Sequence, residues 1–269
     1  MSEYIRDHCD TVLGEGRYGV VYQHGPSCAF KVVARAPRNQ AGEERRDCEE
    51  DMEMVTRWRV THPALLRLMG VIQDEVRRGY LFPFAESGDL MHWLISSGPL
   101  ERASAVLVAS RIALGLHALH SSTIAHRDVK PDNILLMDGG APFASAVLAD
   151  FGCAAFGAAA HTGCTELTGT FAYWAPEHFA VQAQCRESYG YRVDCWSLGV
   201  SLYSMCCGIP PFEDAPSQYE VPSYVLDTSN PEWQHLHPQL RLTIATLLTV
   251  DDASRISCID AVACLRCGA

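Results

Sequence analysis

The spacing of apolar positions changes partway along this chain. In residues 10–35 the β-branched and aromatic run Val20-Val21-Tyr22 lies between turn residues, and Ala29-Phe30-Lys31 follows at the distance of a hairpin turn and return strand. The segment from Glu43 to Val60 reads as one charged helix that His62-Pro63 stops. Leu65 to Ile72 and Tyr80 to Phe84 read as two further strands, separated by the polar turn Gln73 to Gly79. The pattern predicts a small antiparallel-sheet lobe with one main helix.

Beyond Glu86 the period becomes helical, with Val106, Ala109, Ala113 and Leu116 at helical spacing and Leu240, Ile244 and Leu247 marking a later helix. Cys195 to Gly208 carries no charged residue on any face, so it belongs inside a core. Ser257 with Asp260 three residues on resembles a capping box for the last helix. The small-residue run Ala154 to Gly163 is expected to be mobile. No internal repeat is evident. The expectation is an α+β fold in one domain, 1–269: a sheet lobe over about 1–82, a connector over about 83–86, and a larger, mostly helical lobe over about 87–269.

Bulk properties narrow the function classes. The chain has 269 residues, 48% of them apolar, as expected for a globular domain. A net charge of -11 disfavours non-specific attraction to nucleic acid or anionic lipid and is compatible with basic peptide substrates. The N-terminus lacks an apolar core region, and the longest apolar stretch, near Ala103 to Leu119, is interrupted by Arg111 and His117, so neither a signal peptide nor a membrane span is expected. The 12 cysteines read as free thiols in a reducing compartment. Cys264 and Cys267 have two-residue spacing, but no second pair accompanies them, which favours a helix end over a zinc site.

The candidate chemistry lies in separated motifs. Gly14-Glu15-Gly16-Arg17-Tyr18-Gly19 precedes Lys31; His126-Arg127-Asp128-Val129-Lys130-Pro131-Asp132-Asn133 precedes Asp150-Phe151-Gly152; Ala175-Pro176-Glu177 comes next. The glycine pattern also occurs in dinucleotide-binding folds, where the glycines open a helix; here Val20-Val21-Tyr22 continues as a strand, which suits a hairpin over phosphates. Asp128 offers a carboxylate that can orient and deprotonate a hydroxyl, Lys130 a cation for a migrating phosphoryl group, and Asn133 and Asp150 hard oxygen ligands for a divalent ion.

Over essentially its whole length the chain resembles the eukaryotic-type serine/threonine protein kinases, because these motifs occur in that family's order. The resemblance implies a two-lobed fold with ATP in the cleft, Mg²⁺ (or Mn²⁺ as a substitute) on Asn133 and Asp150, and protein or peptide substrates. Lys31 would pair the α- and β-phosphates while held by a helix carboxylate. Family spacing selects Glu53 for that carboxylate, with Glu50 as the alternative because Glu53 sets Arg57 where relatives bury an apolar residue. Leu13, Gly14, Gly16, Gly19, Val21, Ala29 and Leu135 would surround the nucleotide. Phe82 would gate the rear of the pocket, the Pro83 carbonyl and the Ala85 N–H meeting adenine. Lys130 and the segment through Thr170 point to the serine/threonine branch. Glu177 would pair with Arg255, and Asp194 would hold the catalytic-loop backbone.

The resemblance also implies regulation and selectivity. Arg127 is expected to meet an anion from the activation segment. Alignment back from Gly169-Thr170 sets Glu166 at the usual phosphosite, which predicts a permanent carboxylate and activity without phosphorylation; phosphorylation of Thr165 or Thr168 is the competing reading. Asp89 and Asp132 suggest a preference for basic peptides, although Ser204 stands where basic-directed relatives carry an acid. A pseudokinase scaffold and a small-molecule phosphotransferase are the rival functions. A monomer in the cytoplasm or nucleus, without nucleic-acid partners, is the expectation for setting and assembly.

Overall fold

In a computed structural model of the chain, residues 9, 11–16, 19–34, 60–74, 77–212, 224 and 226–266 are described. The first lobe is a five-stranded antiparallel sheet: β1 (Val12–Gly16), β2 (Gly19–His24), β3 (Cys28–Ala34), β4 (Gly70–Gln73) and β5 (Arg77–Pro83), in the spatial order β1-β2-β3-β5-β4. The expected charged helix, with Glu50, Glu53 and Arg57, lies outside the described residues.

Two strand boundaries differ from the sequence reading. The expected strand Leu65 to Ile72 is regular only as β4, because Leu65 instead bridges to Leu148 in the other lobe and Leu66 N–H bonds Leu148 O at 2.8 Å. β5 starts three residues earlier than expected, at Arg77. Asp74 tightens the reversal, its Oδ1 accepting from Arg77 N–H at 2.7 Å, so the ladder extends to Gln73↔Arg78.

The second lobe is mostly helical. Helix α1 spans Leu90–Ser97 and α2 spans Arg102–Ser121, followed by the short strands β6 (Ile124–Ala125), β7 (Ile134–Leu136), β8 (Ala146–Leu148) and β9 (Ala155–Phe156). Then come α3 (Pro176–Gln182), α4 (Arg192–Cys207), α5 (Pro231–His235), α6 (Pro238–Leu247) and α7 (Cys258–Arg266). By composition α2 is long and apolar enough to cross a membrane. Its apolar side, Val108, Ala109, Ile112, Leu116 and Leu119, is buried within the lobe, and Arg111 donates to the carbonyls of Pro63 and Ala146.

The charge-free segment forms α4, and every residue from Val193 to Cys207 is buried, as its all-round apolar character demands. Gly199 permits this close fit, since a Cβ there would meet Leu247 Cβ at 2.8 Å. α7 begins at the expected cap, with Asp260 N–H donating to Ser257 Oγ at 3.3 Å. Part of the run Ala154 to Gly163 forms β9, paired with β6, followed by a helical turn at Ala159–Gly163.

Candidate active site

Strand alternation brings several predicted residues to one face of the sheet. Val21 opposes Lys31, Lys31 opposes Tyr80, and Ala29 opposes Phe82, and cross-strand partners share a face. Val21, Ala29, Lys31 and Phe82 therefore point the same way. Gly19 needs its glycine identity: φ is 153°, and a Cβ would collide with the Val32 carbonyl. Among the described residues nothing lies within 4 Å of where a Cβ on Gly14 would be. Gly16 closes the β1–β2 ladder opposite Gly19. Leu13 lies at the irregularity of that ladder and is exposed. At the connector, Phe84 N–H bonds Ser27 O at 2.8 Å and Gly88 N–H bonds Ala85 O at 3.1 Å, so the chain turns immediately after Pro83.

Asp194 organises the loop below. Its buried carboxylate accepts from His126 N–H at 2.8 Å, from Arg127 N–H at 2.7 Å and from His120 Nε2 at 2.8 Å. Burial alone would raise its pKa, but the hydrogen bond from His120, with that from the His126 N–H, holds it below the ordinary 3.8. This anchoring supports a left-handed Arg127, φ 66°, and so aims Asp128 out of the loop.

Around Asp128 the polar contacts close on one another. Oδ2 accepts from Asn133 Nδ2 at 2.9 Å and pairs with Lys130 Nζ at 3.0 Å. Oδ1 accepts from the Thr170 hydroxyl at 2.8 Å, while Lys130 Nζ donates to that same hydroxyl at 2.5 Å. A threonine oxygen thus already sits between carboxylate and ammonium. Gly169, φ 87°, permits this approach, since a Cβ would strike the Arg127 carbonyl.

Lys31 reaches down from the sheet to Asp150 Oδ1 at 3.3 Å, joining the two lobes at the site. Burial works against the charge of Asp150, but the ammonium outweighs it and holds the carboxyl below its ordinary range. Asp150 is left-handed, φ 57°, and caps the turn Phe151–Cys153. Asn133 directs Nδ2 to both the Asp128 carbonyl and carboxylate, which leaves its Oδ1 an open acceptor. An amide oxygen and an ionised carboxylate suit a hard divalent cation.

Leu135 lies on β7 and forms an isolated bridge with Asp89. Asp89 has a structural task of its own, its Oδ1 capping α1 through His92 N–H at 2.7 Å. Asp132 is exposed. Glu177 and Arg255 form a bidentate pair at 2.7 and 2.9 Å, both buried.

Arg127 meets Glu166 at 3.6 Å, but that carboxylate is 78% exposed. Stronger contacts hold the guanidinium from within: Nε donates to Cys153 O at 2.5 Å and Nη1 to Tyr189 Oη at 3.3 Å. Tyr189 in turn donates to Glu166 O at 2.5 Å. Neither Tyr189 nor His120 belongs to a motif noted in the sequence, so their tasks were not readable there. Thr168 points inward, donating to Cys153 Sγ at 3.0 Å, whereas Thr165 is exposed.

The segment behind Thr170 contains an acid-sensitive group. His178 is buried against Tyr189 and stacks on Trp174 at 5.3 Å, its Nδ1 accepting from Ala175 N–H. Burial pushes its pKa down to about 3. Folded His178 is therefore neutral where the unfolded chain, titrating near 6.5, takes up a proton, so its contribution is complete above pH 6.5 and lost towards pH 3. The unfolding free energy is expected to fall by up to about 1.4 kcal/mol per pH unit below pH 6 from this group. Denaturant titrations from pH 7 to 5 should show that slope, flattened in His178→Gln.

Comparison with known sequences agrees with this geometry. Residues 8–264 match the family model described as protein kinase domain. The chain is 30% identical over 259 residues to a probable serine/threonine-protein kinase of Dictyostelium discoideum, covering 92% of this chain and 36% of that protein. It is 29% identical to the calcium/calmodulin-dependent protein kinase type II alpha chain of Drosophila melanogaster, covering 93% and 47%. It is 30% identical to a cAMP-dependent protein kinase catalytic subunit of Arthrobotrys oligospora, covering 91% and 45%. The chain spans less than half the length of these relatives.

Proposed function

We propose, because this chain belongs to the protein kinase family, that it transfers the γ-phosphoryl group of ATP to serine and threonine hydroxyls of proteins. The observation that carries this reading is the Thr170 hydroxyl held between Asp128 Oδ1 and Lys130 Nζ, beside the Lys31–Asp150 contact. An acceptor hydroxyl in that position would have its proton directed at Asp128, and Lys130 would balance charge on the migrating phosphoryl group. Lys31 would hold the α- and β-phosphates, with Gly14, Gly16 and Gly19 letting backbone N–H groups approach them.

Adenine would lie between Val21, Ala29 and Leu135, with Phe82 at the rear and the Pro83 carbonyl and Ala85 N–H at its edge. Asn133 Oδ1 and Asp150 would bind Mg²⁺, which supplies charge neutralisation for the phosphates when bound. Asp89 and Asp132 leave carboxylate oxygens for basic residues of a peptide; the helix cap uses only one oxygen of Asp89. ATP as donor implies an intracellular setting, cytoplasmic or nuclear.

The test is phosphoryl transfer from Mg-ATP to a randomised peptide library, casein and histone, with aminoglycosides and choline as small-molecule acceptors and Asp128→Asn as background. Phosphoserine or phosphothreonine that depends on Asp128 is the expected product. Transfer to the small acceptors alone would overturn the reading.

Regulation through Arg127 is expected to be shallow. A pair as exposed as Arg127–Glu166 contributes about 0–1 kcal/mol, while the carbonyl and Tyr189 bonds to Arg127 remain without it. Glu166→Gln should lower kcat by less than about five-fold, and phosphatase-treated protein should stay active. Loss of all activity after dephosphorylation, with Glu166→Gln like wild type, would show instead that a phosphate at Thr165 or Thr168 is required.

A further inference from the structure

Behind the catalytic loop, three helices each bring one metal-binding side chain to a common point. His120 lies in the last turn of α2, Cys195 follows Asp194 on α4, and Cys258 opens α7. The two sulfurs are 3.3 Å apart. A ring nitrogen of His120 lies within 4.8 Å of both. Both thiols are closed off from solvent, at 0% and 1% exposure. Among the described residues no other three histidine, cysteine or acidic side chains converge in this way.

Two features favour a cation over plain packing. Two sulfurs and an imidazole form a soft donor set of the kind that binds zinc or cuprous ions. Zinc bonds of about 2.3 Å to sulfur and about 2.0 Å to nitrogen hold tetrahedral ligands about 3.5–3.8 Å apart, so the cluster needs rearrangements of only about 1 Å. The second feature is the outer shell. A metal-bound imidazole usually gives its other N–H to a carboxylate. His120 Nε2 is bonded to Asp194 Oδ2 at 2.8 Å, so its Nδ1 keeps a lone pair.

We propose that Cys195, Cys258 and His120 bind one d¹⁰ cation, zinc before others, which ties α2, α4 and α7 together beneath the catalytic loop. Two thiol protons leave to solvent as two thiolate–metal bonds form, with no change of oxidation state, and a water or other small ligand completes the tetrahedron. The ion braces the loop through His120, because Asp194 also holds the His126 and Arg127 amides.

The test is titration of the reduced, metal-free chain with Co²⁺. One equivalent should produce thiolate-to-cobalt absorption and the intense visible bands of a tetrahedral site, and one equivalent of Zn²⁺ should erase both and raise the melting temperature. Cys258→Ala should abolish the thiolate absorption, whereas Cys185→Ala, which removes an exposed thiol outside the cluster, should retain it. Folded wild type without that absorption overturns the proposal, which makes the outcome independent of whether the variant folds. Bands that persist in Cys258→Ala, or a Cys195–Cys258 disulfide mapped in anaerobically isolated protein, overturn it equally.

Discussion

Asp128→Asn is expected to lower phosphoryl transfer by about 10²- to 10⁴-fold while the protein stays folded. The amide removes both the proton acceptor and the anion that Lys130 and Asn133 address at 3.0 and 2.9 Å. With its NH₂ on the Oδ2 side the amide faces the donors Lys130 and Asn133; turned the other way it faces the Thr170 hydroxyl, which must rotate its O–H away to accept. The loop itself should persist, because Asp194 and the Asn133 bond to the Asp128 carbonyl hold the backbone. Initial rates with γ-labelled ATP and a melting curve on the same sample separate the two effects. Since Asp128 and Lys130 act on the same hydroxyl, the double variant Asp128→Asn/Lys130→Ala should lose much less than the product of the single losses. Multiplying losses would mean that the two groups serve different steps.

Glu177→Ala is expected to destabilise the helical lobe by about 3–5 kcal/mol, since it strands a buried guanidinium. Arg255 gives two bonds to Glu177, others to the carbonyls of Thr249 and Arg192, and faces the Trp196 ring at 5.2 Å. Those remaining partners are neutral and do not replace the carboxylate. Against a typical stability of about 5–15 kcal/mol the loss is large, and a melting point lower by about 6–20 °C should follow. Arg255→Met in the Glu177→Leu background removes both charges at once and should recover part of the loss; a double variant worse than Glu177→Ala would argue against a desolvation cost. The surface pair Arg186–Asp252 gives the contrast, and Asp252→Asn should cost about 1 kcal/mol or less.

Much of this protein was legible from its residues because the informative features are local. The β-branched and aromatic run of β2 with its return strand β3, the charge-free run of α4 and the Ser257 cap each act within a few residues, and each yields its expected element. Motif order likewise led to the expectation of one shared site, and the structure joins Lys31 to Asp150 and Asp128 to Lys130 and Asn133, while Glu53 and Glu50 lie outside the described residues. Strand ends were less legible: Leu65 left its expected strand to pair with Leu148, a partner that no local pattern reveals.

The sequence by itself determined the family, the lobe order and the donor and acceptor chemistry, since those depend on residue type and on spacing along the chain. Tertiary structure alone decided that Tyr189 and the Cys153 carbonyl, more than Glu166, hold Arg127, that His120 steadies Asp194, and that Cys195 faces Cys258. Those pairs join residues 62, 74 and 63 positions apart. The last two pairs sit where α2, α4 and α7 bury their apolar faces against one another, and helical periodicity specifies a buried face without naming the side chain it will meet.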